Sequence, residues 1–225
     1  YMRKKREFLR QRFFQQINRV RMENLRSRIS PHFTFNVLGR EINQFNGSEE
    51  VKHNLMELVK YLRRSLELTE KLSVSLQDEL DFVRTYIELE RGRVGEDFVA
   101  TITVEDGLDA TRIMIPSMIV QIPVENAIKH GPAGKDGKKE LMVYVSRETN
   151  GIRITVTDNG RGYLPQVVSA TRGTGTGLKV LYQTIQLLNT KNKSDKIRFN
   201  ITNRSDGQTG TEVSVYIPFR FSYDL

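Results

Sequence analysis

Apolar positions recur at steps of three and four through the first part of the chain and at steps of two through much of the second. Leu9, Phe13, Ile17 and Val20 keep helical spacing, and Leu25, Ile29 and His32 continue it with Phe33 and Val37 alongside. The pattern predicts one long helix over residues 2–45. Pro31 interrupts it. An interior proline deletes a backbone hydrogen bond and kinks a helix; alternatively, Pro31 opens a new helix with Ser30 as its N-cap. Asn46-Gly47-Ser48 is a turn, and Ser48 with Glu49 and Glu50 suits a helix start. Val51, Leu55, Leu58, Leu62 and Leu66 mark a second amphipathic helix, set antiparallel to the first by the short turn. Two helices alone bury little, at about 1.5–3 kcal/mol per fully buried large apolar side chain. Pairing with a second copy as a four-helix bundle covers the remaining apolar surface.

Ser75 caps a third helix with Asp78 near its positive end, and Leu76, Leu80, Val83 and Ile87 form its buried stripe. It ends near Gly92–Gly95. From Asp97 the period becomes two. Strands are predicted over Phe98–Val104, Leu141–Val145, Ile152–Val156, Lys196–Ile201 and Thr211–Ile217, with hairpin turns at Asn150-Gly151 and Asp206-Gly207. Helices are predicted over Pro116–His130, where Pro123 is awkward, and over Leu178–Leu188 behind a glycine-rich loop. This predicts an α+β fold: a helical hairpin, residues 1–70, then a sandwich of one mostly antiparallel sheet with helices on one face, residues 71–225.

Composition narrows the chemistry. The chain has 225 residues, 38% hydrophobic and 28% charged, and no apolar run approaches the roughly 20 residues that span a bilayer. With no cysteine and only three well-separated histidines, disulfides, thiolate chemistry and a zinc site drop out. The net charge of +8 is local: residues 1–28 hold ten Lys/Arg against two acids, and the remainder balances. Such a patch suits a cytoplasmic segment just after a membrane helix, a solvated helix face, or nucleic acid. The nucleic-acid reading lacks aromatic stacking motifs around the basic run, so the expectation is no nucleic acid.

Ser30-Pro31-His32-Phe33-Thr34-Phe35-Asn36 places a histidine in an apolar helical run, with Asn36 on the same helical face. By itself His32 reads as a partly buried structural histidine. Four clusters in the second half change that. Glu125-Asn126-Ala127-Ile128-Lys129-His130-Gly131 ends a helix; Asn126 offers a neutral oxygen suited to Mg²⁺, and Lys129 reaches phosphate from the same face. Asp158-Asn159-Gly160-Arg161-Gly162 follows a strand; the aspartate can accept from an exocyclic amine, and the glycines let a base lie against backbone. It is also an ordinary turn sequence. Gly173-Thr174-Gly175-Thr176-Gly177 opens a helix and offers backbone N–H groups to an anion, without the lysine of a P-loop. Gly210-Thr211 leads into the last strand.

In order and spacing these clusters resemble the N box and glycine boxes of the GHKL ATPases (gyrase, Hsp90, histidine kinase, MutL), over roughly residues 96–219. Pro-His-Phe-x-Phe-Asn resembles the phosphoacceptor box of the LytS/YehU family of membrane sensor histidine kinases, and Val-Glu-Asn-Ala-Ile-Lys-His-Gly is similar to that family's N box. The resemblance implies a Bergerat-type ATP-binding domain after a dimeric phosphoacceptor domain. It implies ATP and Mg²⁺, autophosphorylation on His32, and transfer to an aspartate of a response regulator. Asn36 stands beside His32; Asn126 holds Mg²⁺; Lys129 and His130 face phosphates. Asp158 reads adenine with Gly160, Gly162 and Thr211 around it, and Gly173, Gly175 and Gly177 lie in a lid. It further implies the cytoplasmic portion of a bacterial inner-membrane protein.

Two departures stand out. Phe33 sits where many histidine kinases carry an acid, so the base is Glu125 or the neutral imidazole needs little help. Ile122 replaces the hydrolytic glutamate of gyrase and Hsp90, which disfavours simple ATP hydrolysis. Thr34 and Gly39 stand where leucine and asparagine are expected. The rival reading is a nucleotide-binding GHKL scaffold without kinase activity.

Overall fold

The computed structural model describes residues 49–95, 97–130, 138–163, 176–190, 192 and 194–223. The long helix expected over 2–45, with His32 and Asn36, lies outside the described residues, as do Gly173 and Gly175. The chain divides into two compact units, the second being Lys71–Tyr223. Helix α1 (Glu49–Glu70) belongs to the first. Along it Leu58 and Leu62 are half-buried and Ser65 and Leu68 buried, the stripe a 3.6-residue repeat requires.

In the second unit, β1 (Ser73–Ser75) runs into α2 (Leu76–Val94). Ser75 is the N-cap as predicted: its Oγ accepts from the Asp78 backbone N–H at 3.0 Å and donates to the Asp78 carboxylate at 2.8 Å. Then come β2 (Phe98–Val104), β3 (Met114–Pro116), α3 (Gln121–His130), β4 (Lys139–Glu148), β5 (Gly151–Asp158), α4 (Thr176–Asn189), β6 (Arg198–Asn203) and β7 (Thr211–Pro218).

The helix expected from Pro116 begins only at Gln121. Met114–Pro116 instead pairs antiparallel with β1, Val74 opposite Ile115, and residues 117–120 form a turn. Periodicity alone could not separate a three-residue strand from the start of a helix. The later start also removes the difficulty at Pro123. It is the third residue of α3, where a backbone N–H has no partner within the helix.

Five strands form the main sheet in the order β2-β4-β5-β7-β6. Both predicted hairpins are present, β4–β5 across Asn150 and β6–β7 with Gly207 at φ 79°. Among the described strands only β2–β4 is parallel, Ile102 opposite Val143, and their crossover contains β3 and α3. The register lines up Val143, Val156 and Val213 in one row and Val145, Ile154 and Val215 in the next, all buried. Helix α3 packs on β4 and β5 and touches α2 and α4, so it sits in the middle of the helical layer. On the opposite sheet face Val99, Met142 and Tyr144 are exposed.

Ile152, fully buried at the start of β5 opposite Ile217, lies at the far end of that strand from Asp158. Ile152→Ala is expected to cost about 2–5 kcal/mol of unfolding free energy, read as a lower urea midpoint.

Candidate functional site

The end of β5 carries a carboxyl group into the core. Asp158 lies on the helix-covered sheet face, beside Leu141, and is 8% exposed. Its Oδ1 accepts from the Gly160 N–H at 2.8 Å and the Thr211 N–H at 3.3 Å. Burial pushes its pKa above the ordinary carboxylate value; the bonds from Gly160 and from the Thr211 backbone and side chain, with the Arg204 charge, act the other way. A group so placed is a directed acceptor in a low-dielectric site.

Two chain segments meet at this point because glycine lets them. Gly210 has φ 142°, and a Cβ there would overlap the Asp158 carbonyl oxygen. Gly162 has φ 88°, and a Cβ would stand 2.6 Å from Asn203 Oδ1. That same oxygen accepts from the Tyr163 N–H at 2.5 Å. The β6–β7 loop is therefore bonded to the turn that follows β5. Arg204 donates its backbone N–H to the Gly210 carbonyl and pairs with Asp206. Asn159 ties a third segment in: its Oδ1 accepts from Glu140 N–H at 2.9 Å and its Nδ2 donates to the Lys138 carbonyl at 3.0 Å.

Helix α3 presents the second set. The half-buried Asn126 donates its Nδ2 to the Ile122 carbonyl at 2.9 Å. A carbonyl can only accept, so the amide nitrogen is turned to the helix and the amide oxygen faces away from it. Half-buried Glu125 accepts from Gln121 Nε2 at 3.1 Å. Lys129 is exposed on the last turn, and His130 ends the helix. Gly177 is buried in the first turn of α4.

The structure thus joins Asp158, Gly160 and Thr211 in one bonded cluster, with Gly162 close against Asn203 beside it. It puts Asn126 and Lys129 on a helix packed against the strand that ends at Asp158. Gly210, Asn203 and Asn159 belong to the cluster, and sequence reasoning gave none of them a role. Gly210 stood beside Thr211 at the entry to the last strand; Asn203 carried no signal. Glu79 was also missed. It is fully buried on α2 and bonded to the start of α3. Its signal was present: an acid three residues after Leu76 and four before Val83 falls on the apolar stripe.

A family model described as histidine kinase matches residues 20–98. A second, described as histidine kinase-, DNA gyrase B-, and HSP90-like ATPase, matches residues 111–220. The chain belongs to the histidine kinase family. Among curated relatives, the sensor histidine kinase YpdA of Escherichia coli (strain K12) is 28% identical over 202 residues, 89% of this chain and 34% of that protein. The sensor histidine kinase/phosphatase LytS of Staphylococcus aureus (strain MRSA252) is 32% identical over 197 residues, 84% of this chain and 33% of that protein. The chain therefore spans about a third of the length of these relatives. The histidine kinase domain of the blue-light activated kinase EL346 of Erythrobacter litoralis superposes with TM-score 0.48 at 15% identity, over 92% of this chain and 94% of that one.

The second half of this histidine kinase family member is an ATP-binding module of the gyrase and HSP90 kind. Among the described residues no helix is long and apolar enough to cross a membrane. Gly210→Ala is expected to lower the thermal midpoint, costing about 1–3 kcal/mol, because the new methyl group meets backbone rather than a side chain that can move. Calorimetry checks this.

Proposed function

We propose that this chain is the kinase core of a membrane-embedded sensor histidine kinase of a two-component system. In this reading residues 1–70 are the dimerisation and phosphoacceptor domain and residues 71–225 the catalytic domain. The observation that carries the reading is the buried Asp158 carboxyl group, held at the meeting of two glycine-bearing loops, in a chain whose family phosphorylates histidine. A buried acceptor held in this way fits the exocyclic amine of adenine.

The residues have separate tasks. Asp158 accepts from the adenine amine, and Gly160, Gly162 and Thr211 shape the wall around it. Lys129 and His130 face the phosphates, and Gly173, Gly175 and Gly177 belong to the lid. Among the described residues no group of three or more His, Asp or Glu could hold a metal alone. The Asn126 amide oxygen, turned away from its helix, would hold a magnesium ion together with phosphate oxygens and water, a donor set that fits that hard cation. When bound, it would offset the charge that develops on the phosphates.

His32 supplies the nucleophile. A ring nitrogen attacks the γ-phosphorus, the bond to the β–γ bridging oxygen breaks, ADP leaves, and the ring loses its proton. Glu125 is the candidate acceptor for that proton, and Asn36, four residues after His32, is a further candidate catalytic group. The phosphoryl group then moves to a carboxylate oxygen of a response regulator aspartate, and the P–N bond breaks. The basic residues 1–28 fit the cytoplasmic side of a membrane helix, and two copies complete a four-helix bundle.

With γ-labelled ATP and Mg²⁺, the chain is expected to take up label that is lost in acid and kept in alkali. His32→Ala should reduce labelling to background while nucleotide still binds. Label retained in His32→Ala would refute the phosphoacceptor, and nucleotide binding with no label in the unmodified chain would favour the scaffold reading.

Asp158 generates a pH prediction. An ionised carboxylate accepts from the amine and a protonated one competes with it. Because its pKa is raised, adenine nucleotide affinity should fall on acidification at a pH above that at which an exposed aspartate protonates, about 3.9. Asp158→Asn should weaken binding about 10–100-fold, as expected for one charge-assisted hydrogen bond, and flatten that pH dependence. Calorimetric titrations across pH check both.

A further inference from the structure

Glu79 is an acid where the packing allows only apolar neighbours or a fully bonded polar group. It is 0% exposed on α2, between Leu76 and Val83 of the buried stripe. Its Oε2 accepts from the Met118 N–H at 2.9 Å, and its Oε1 from the Val120 and Gln121 N–H groups at 3.1 and 3.2 Å. These amides lead into α3, whose first residue is Gln121. Helix N-termini leave four N–H groups without helical partners and carry partial positive charge. Here that end is capped by a side chain 42 residues earlier in the chain. Met118 holds φ 69°, a left-handed conformation that non-glycine residues rarely adopt. The strained turn is what aims three amides at one carboxyl group.

The backbone around the cap is equally tied. The Ser117 N–H donates to the Leu72 carbonyl at 3.1 Å and the Leu76 N–H to the Ile113 carbonyl at 2.8 Å, on either side of the β1–β3 pairing. The start of α3 thus has its height and rotation set by α2. Asn126 lies five residues after Gln121, so its amide oxygen moves with that end.

We propose that Glu79 is a positioning residue for the metal end of the nucleotide site: by capping α3 it sets where Asn126 presents its oxygen. This rests on the role given to Asn126 above. Asp158 is held by its own loop and by Thr211, so the adenine end does not depend on Glu79.

The test measures ADP affinity calorimetrically in EDTA and in Mg²⁺, for the unmodified chain, Glu79→Gln and Ile152→Ala. The glutamine keeps shape but places an NH₂ against a backbone N–H. Glu79→Gln is expected to keep the EDTA affinity within about twofold and to cut the magnesium-dependent gain about tenfold, the size seen when a ligand's supporting partner is lost. Ile152→Ala, destabilised but remote, should keep the full gain. Equal loss in both variants, or an unchanged gain in Glu79→Gln, overturns the proposal. No gain in the unmodified chain removes the Asn126 role itself.

A second measurement needs no variant. Coupling is reciprocal, so Mg²⁺ added to the ADP complex must strengthen the cap. Amide exchange at Met118, Val120 and Gln121 should slow on adding Mg²⁺ to ADP, beyond the effect of ADP in EDTA. Identical exchange in the two conditions overturns the proposal.

Discussion

One buried carboxyl group, that of Glu79, is the constraint on which the placement of α3 depends. Removing a carboxylate from water costs several kcal/mol unless its lone pairs are met. Three backbone N–H groups and the positive end of a helix meet them here, each charge-assisted bond contributing about 1.5–3 kcal/mol. The balance is steep: the cap is stabilising when complete and destabilising when one bond is lost. That steepness makes it a register device. An apolar residue in its place would fill space but would not distinguish one rotation of α3 from another.

Asp158 follows the opposite logic. Glu79 is enclosed and bonded to structure, whereas the bonds that reach Asp158 from Gly160 and Thr211 do not offset its burial, and its pKa rises. The two buried acids illustrate why burial alone does not separate a structural group from a functional one; the source of the donors does, the start of another helix for Glu79 and the adjoining turn and strand for Asp158.

Much of this was legible in the residue pattern. The shift from a 3.6 to a 2 repeat at Asp97 is real, Asp206-Gly207 lies in the β6–β7 turn, the β4–β5 turn falls one residue before the expected Asn150-Gly151, at Thr149-Asn150, and Ser75 caps α2. Asp158, Gly160 and Gly162 could be read because they lie within one five-residue turn sequence, where Gly162 has a steric reason to be glycine. What could not be read is long-range. The pairing of β1 with β3 involves three residues on each side, too few to show a period. Asn203 and Gly210 act on the Asp158 turn from forty or more residues away, through contacts that only the folded sheet creates. Glu79 was visible as an acid on an apolar stripe, yet its partners are backbone groups, which leave no trace in side-chain identity.

The span of the Glu79 bonds bears on how this family's chains divide into parts. The two matched stretches, residues 20–98 and 111–220, meet near β2, as if they were beads on a string. The cap crosses that seam: its carboxyl group lies in the first stretch and its three amides in the second. So does the β1–β3 ladder. Excising the second stretch by its sequence boundary would leave α3 with bare amides and β3 without a partner strand. The heritable modules and the cooperative folding units of this chain therefore do not coincide, and recombination between relatives would have to carry α2 along with the nucleotide-binding module to keep it intact.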